Sequence, residues 1–217
     1  MLPFGEIGTK TGLYLTIGFA AGLEALAIYA HWRRFHVPVT VAAGTGSLVL
    51  LVVFLALGFA PGLLPYWPWL MILGGLCVFV LALRWDMSDH TRQTRRVDVA
   101  FWLHLLAAPM LVHPAFYLLG LLRGGHAGDA AVAVGLYALL AIVALLVDRR
   151  ALLVSALGYV IYALAHAMGT DNSGLGGLAV TALIAGCALL LLSVFWHRVR
   201  MGVLAWLPDR LTAKLPA

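Results

Sequence analysis

Residues 31–60, HWRRFHVPVTVAAGTGSLVLLVVFLALGFA, set a basic doublet, Arg33 and Arg34, just before a run from Val37 to Ala60 that holds no acidic or basic side chain. About 20 apolar residues suffice for a helix to cross a bilayer core, so this run reads as a membrane span with its cations at one end. The same reading extends in both directions. Apolar runs and their polar punctuation predict seven spans near 11–32, 37–60, 66–84, 98–122, 129–147, 151–168 and 175–197.

Charge sets the expected orientation. Twelve of the fourteen Lys and Arg residues fall in alternate gaps: Arg33 and Arg34; Arg84, Arg92, Arg95 and Arg96; Arg149 and Arg150; Arg198, Arg200, Arg210 and Lys214. The other gaps hold only Lys10 and Arg123. Because Lys and Arg in short loops stay on the cytoplasmic side, this split predicts an N-outside, C-inside chain. The net charge of +5 is then topological, matched to an anionic inner leaflet, and a nucleic-acid partner is not expected. Composition agrees, since 63% apolar and 11% charged residues, with a mean hydropathy of +0.99, leave too little polar surface to coat a water-soluble globule. The expected fold is an all-α polytopic transmembrane helix bundle forming a single integral membrane domain over 1–217. The first apolar run follows Glu6 and Lys10 without a small-residue cleavage site, so it is expected to stay as the first span and not to act as a signal peptide.

Three segments belong to the interfaces. Ala60-Pro61-Gly62-Leu63-Leu64-Pro65-Tyr66-Trp67-Pro68-Trp69 has prolines that interrupt a helix and rings suited to the headgroup level, an aromatic anchor. In the cytoplasmic tail, 199–217, Leu204, Leu207, Leu211 and Leu215 recur at helical spacing with Arg210 and Lys214 on another face, as in a short amphipathic interfacial helix. The stretch Trp85-Asp86-Met87-Ser88-Asp89-His90-Thr91-Arg92-Gln93-Thr94-Arg95-Arg96 mixes both signs of charge. It reads as a solvated loop with local ion pairs, or else as a gate or partner contact.

Small residues such as Gly18 and Gly22 would let helices approach closely. Cys77 and Cys187 lie within apolar runs at no metal-ligand spacing and are expected to be small buried residues. No internal repeat of the kind that builds secondary transporters is visible.

Function has to be sought in the intramembrane polar groups. Glu24 is the only acidic residue well inside a span, where an ionised carboxylate is costly unless protonated, paired or wet. The fourth span carries His104 and His113, together with Pro109 and Pro114, which release backbone carbonyls and predict a kink over a cavity. The two histidines lie about 180° apart on the helix and roughly 13 Å apart along it, so they cannot share a metal. In the sixth span Ser155, Tyr159, Tyr162 and His166 line one helical face. At about 1.5 Å per residue, His113 and His166 share a level about 22 Å from the inner end, while His104, Tyr159 and Glu24 lie about 9 to 12 Å up.

These residues define an expected polar cavity or proton relay: Glu24 as the protonatable carboxylate, His104, His113 and His166 as relay groups, and Tyr159 and Tyr162 as orienting partners. Four classes compete. A small transporter or proton-coupled protein would use that cavity for a solute or a proton. A non-catalytic scaffold or assembly factor, with an unidentified protein partner, would use the same groups to lock helices. A b-type cytochrome would ligate haem b through His113 and His166. A zinc hydrolase needs convergent His and carboxylate ligands, and no such motif occurs, so no metal site and no catalytic residue is assigned.

Arg84-Trp85-Asp86-Met87-Ser88-Asp89, Thr94-Arg95-Arg96 and the Asp98 to Pro114 block resemble a family of uncharacterised bacterial multi-pass inner-membrane proteins. The resemblance extends to Trp32-Arg33-Arg34-Phe35-His36-Val37-Pro38, to Asp148-Arg149-Arg150-Ala151-Leu152-Leu153-Val154-Ser155, and to the tail from Leu207-Pro208 to Leu215-Pro216. It implies a bacterial inner-membrane location. The family carries no assigned activity, so the resemblance transfers no catalytic residue.

Overall fold

A computed structural model describes residues 4–89, 94–121, 129–149 and 175–205, with Leu153, Leu157 and Ile161 as single helical positions. The described residues are helical, with no strand among them. The elements are α1 (Phe4–Phe35), α2 (Pro38–Phe59), a 3-10 turn (Pro61–Tyr66), α3 (Trp67–Met87), α4 (Arg96–Leu118), α5 (Asp129–Val147), α6 (Leu175–Val194) and α7 (Trp196–Leu204). Among the described residues, four stretches are long and apolar enough to cross a membrane, Lys10–Phe35, Pro38–Phe59, Pro61–Met87 and Arg96–Leu118, with a fifth if the bent pair Ala182–Val194 and Trp196–Leu204 is one span. The four match the first four expected spans. The apolar part of α5 is shorter, Ala131–Val147, and the expected sixth span, 151–168, lies almost wholly outside the described residues.

The chain forms two compact units, Met1–Leu111 and Val112–Ala217. In the first, local chemistry sets each boundary. His36 adopts a left-handed φ of 52° and returns its N–H to Trp32 O at 2.8 Å, which stops α1. Val37 is extended, as a residue before proline must be, and Pro38 starts α2 where no N–H is needed. Pro61 and Pro65 hold the next connection in a 3-10 turn, and Pro68 opens α3 in the same way as Pro38 opens α2.

The α1–α2 hairpin is an antiparallel pair built on glycine. A methyl group placed on Gly18 would sit 3.0 Å from Leu55 Cδ2, one on Gly22 3.3 Å from Leu51, one on Gly44 3.2 Å from Ile28, and one on Gly58 2.5 Å from Leu15. Each forward step along α1 is matched by a backward step along α2, so small residues on either helix receive a branched residue from the other. This close approach is what drives association in lipid, where the hydrophobic effect between helices is absent. The adjoining core joins Ala42 of α2, Val78 and Ala82 of α3, and Val99, Leu103, Ala107 and Met110 of α4.

In the second unit, Val112 and Phe116 of α4 pack with Leu121 and Ala133. Gly120, at φ 74°, ends α4: Leu121 N–H reaches Phe116 O and Gly120 N–H reaches Tyr117 O, both at 3.1 Å. The chain bends by 71° between Ala182–Val194 and Trp196–Leu204. Cys77 and Cys187 are exposed, contrary to their expected burial; a thiol is apolar enough to sit on the outside of an apolar helix. Of the expected amphipathic leucines of the tail, only Leu204 falls within the described residues.

Candidate functional site

The expected polar residues separate into distinct environments. Glu24 is exposed on α1 and makes no hydrogen bond or ion pair with any described residue. His104 is completely buried. Its Nδ1 lies 2.7 Å from Ala100 O of its own helix, so Nδ1 carries the proton, and Phe79 meets the ring edge-on at 5.4 Å. His113 is half-buried in the second unit. Tyr159, Tyr162 and His166 lie outside the described residues. The helix α4 runs unbroken through both prolines, with Pro109 exposed and Pro114 buried. Within the first unit no described contact joins Glu24 to His104.

Three hydroxyl groups of α2 are satisfied at close range. Thr40 donates to Val37 O, Thr45 to Val41 O at 2.7 Å and Ser47 to Ala43 O at 3.0 Å, each within one turn. Such back-bonding meets the requirement that polar groups in lipid find internal partners. Among the described residues no three His, Cys, Asp or Glu side chains converge as a metal site would require.

Among the described residues of the first unit lie two large apolar grooves and a smaller pocket bordered by two arginines. The larger groove, about 790 Å³, runs between Phe19 and Leu51 at one end and Trp32, Thr40 and Trp85 at the other. A second groove of about 360 Å³ lies between α2 and α3, lined by residues such as Val49, Val52 and Leu73. The third space, about 260 Å³, is lined by Leu81, Arg84, Trp85, Ser88 and Arg96. Trp85 borders both the larger apolar groove and this arginine-flanked pocket. Neither Glu24, His104 nor His113 lines any of the three.

The mixed-charge stretch is sorted by sign. Asp86 and Asp89 are buried, 2% and 8% exposed, while Arg84, Arg95 and Arg96 are exposed. Asp89 accepts hydrogen bonds from Thr94 N at 2.8 Å and Thr94 Oγ1 at 2.5 Å, and Thr94 Oγ1 in turn accepts from Arg96 N at 3.3 Å. The Asp89 carboxylate thus ties the end of α3 to the start of α4, and Arg84, Arg95 and Arg96 stay exposed. Alternation of sign was the only signal available for this in the chain, and it does not say which sign turns inward.

A second polar cluster closes α5. Asp148, at φ 57°, receives Trp196 Nε1–H on its carboxylate at 2.6 Å, with Arg200 Nε 3.9 Å from the same oxygen. Arg200 Nε also donates to Leu145 O at 3.1 Å. Neither Trp196 nor Arg200 stood out in the sequence, because their partner lies 48 or more positions away. No family model, no curated protein and no solved structure matches this chain.

Proposed function

We propose that this chain is a multi-pass protein of the bacterial inner membrane, N-terminus outside and C-terminus inside, that serves as a non-catalytic membrane scaffold. The observation that carries this reading is the separation of the polar groups from the large grooves of the first unit, whose linings are almost wholly hydrocarbon and include neither Glu24 nor His104. A relay group needs a proton donor or acceptor within hydrogen-bond reach or one water away, and the groove linings supply mainly hydrocarbon. The basic ends of the helices support the orientation, and the run lengths support the spans. The test is proton flux across proteoliposomes holding the full chain. A scaffold leaves the flux at that of protein-free vesicles at every imposed pH gradient, and a saturable, pH-linked flux sinks the reading.

One observation favours a second reading, a small proton-coupled transporter. Glu24 is exposed at span depth without a partner among the described residues, and a carboxylate there is stable only if it is neutral, wet or covered. In that case Glu24→Gln abolishes a pH-linked flux. The cytochrome reading predicts a haem band in the reduced-minus-oxidised spectrum that is lost in His113→Ala and in His166→Ala.

A further inference from the structure

We infer that the first unit binds one anionic glycerophospholipid, with its phosphate in the pocket between Arg84 and Arg96 and an acyl chain along the groove between α1 and α2. The site rests on the membrane location proposed above and not on the scaffold role.

Three observations converge on it. First, Trp85 is shared by an apolar groove and a basic pocket, so the two spaces adjoin at a single side chain. A molecule filling both must be an amphiphile whose head is anionic. Second, Arg84 and Arg96 line the pocket together, are exposed, and form no ion pair with a described residue. Asp89, which could have neutralised one of them, spends its oxygen Oδ2 on Thr94 instead. Two guanidinium groups facing one small space repel each other until an anion enters, and their planar donor forks suit phosphate oxygens. Third, the groove has the right length and position. From Trp32 to Phe19 along α1 it covers roughly 20 Å, about two-thirds of a 30 Å hydrocarbon core. Its volume lies inside the range of about 300–1,000 Å³ that encloses a medium-sized ligand.

The basic end of the groove is also the correct one. The last turn of α1 carries Arg33 and Arg34, α3 ends beyond Arg84, and α4 begins at Arg96, so each of the three helices carries cations at the end from which Trp32 and Trp85 line the groove. Basic pockets at the cytoplasmic ends of membrane helices attract anionic headgroups through this arrangement. The aromatic rings at that level supply the amphipathic boundary between chain and head.

The test is native mass spectrometry of the full chain in detergent, titrated with phosphatidylglycerol or phosphatidylcholine. The expected result is one preferentially retained phosphatidylglycerol. Arg84→Gln/Arg96→Gln should weaken that binding roughly thirtyfold, the combined attraction expected of two cations at a membrane surface. Arg95→Gln, also exposed but outside the pocket lining, should leave it unchanged. Leu48→Trp, a substitution at a 53% exposed groove position, should weaken it severalfold by occupying the chain's path. Equal retention of the two lipids, equal losses in Arg95→Gln and the double variant, or full competition by inorganic phosphate would each overturn the site. Circular dichroism of every variant separates loss of the site from loss of fold. The proteoliposome flux assay is read independently, so a failure of the lipid site and a failure of the scaffold reading cannot be confused.

Discussion

Trp196 donates its indole N–H to the carboxylate of Asp148 at 2.6 Å, tying the first turn of α7 to the residue that terminates α5. Asp148 is one of two non-glycine residues with positive φ among the described residues, and Arg149 N–H returns to Ala144 O at 2.9 Å beside it. The side chain explains why a residue other than glycine occupies this position: its carboxylate holds Trp196, itself 2% exposed, and faces Arg200. Asp148→Ala should therefore lower stability by about 2–4 kcal/mol, combining a lost charged hydrogen bond with a left-handed alanine. Asp148→Gly loses the bond but relaxes the backbone, so it should be about 1 kcal/mol less damaging than alanine. Thermal unfolding in detergent, followed by tryptophan fluorescence, checks the order; alanine equal to or better than glycine would disprove it.

The α1–α2 approach makes glycine substitutions position-dependent. At Gly58 a methyl group would fall 2.5 Å from Leu15 Cδ2 and 2.7 Å from its Cγ, so Gly58→Ala should destabilise by about 1–3 kcal/mol through overpacking. Gly135 has nothing within 4 Å of that position, and Gly135→Ala should be neutral or stabilising by up to about 1 kcal/mol. Paired melting curves decide this, and similar shifts for the two variants would mean that the interface does not depend on glycine.

The link between Asp89 and Thr94 should behave as a coupled pair. Asp89→Ala and Thr94→Val each remove hydrogen bonds at the start of α4 and should each cost about 1 kcal/mol. Their effects should fall short of additive by about 0.5–2 kcal/mol in a double-mutant cycle. Strict additivity would show that the pair makes no energetic contact.

His104 should tolerate loss of its nitrogens better than loss of its volume. Its ring fills a completely buried site, so His104→Ala should cost about 2–5 kcal/mol, whereas His104→Leu should cost under about 1.5 kcal/mol. Ala100 O also accepts the regular helical bond and is not orphaned in either variant. Equal damage from the two substitutions, read from melting temperatures in detergent, would mean that the imidazole itself is required and would favour a relay role.

Orientation is checked by labelling single cysteines in intact cells after replacement of Cys77 and Cys187. A cysteine at Gly62 should react with a membrane-impermeant maleimide from outside, and one at Ser88 only after the cells are opened. The reverse pattern would invert the proposed topology and place the basic pocket at the outer face.

Much of the architecture is written along the chain as one-dimensional information. Run length set the first four spans, prolines at positions 38, 61 and 68 set where helices start, and the doublet Arg33-Arg34 marked an end of α1. These features depend on neighbours a few residues away, so they survive without a tertiary context. The left-handed ends were less visible: Gly120 is an ordinary candidate, but His36 and Asp148 gave no local sign of positive φ.

What the chain alone could not decide is which side of each helix faces what. Helices apolar all round have no stripe to read, since in lipid an outward leucine costs no more than an inward one. Equal depth therefore grouped Glu24 with His104 in the sequence, whereas tertiary packing leaves Glu24 exposed and encloses His104 completely. Steric fit made that choice, through contacts such as Gly18 against Leu55 and Phe79 against His104. The same packing turned Asp86 and Asp89 inward and left Arg84 and Arg96 beside Trp85. Composition and periodicity determined that this protein has helices of membrane-spanning length and where they begin; only three-dimensional contact decided which polar groups share a site.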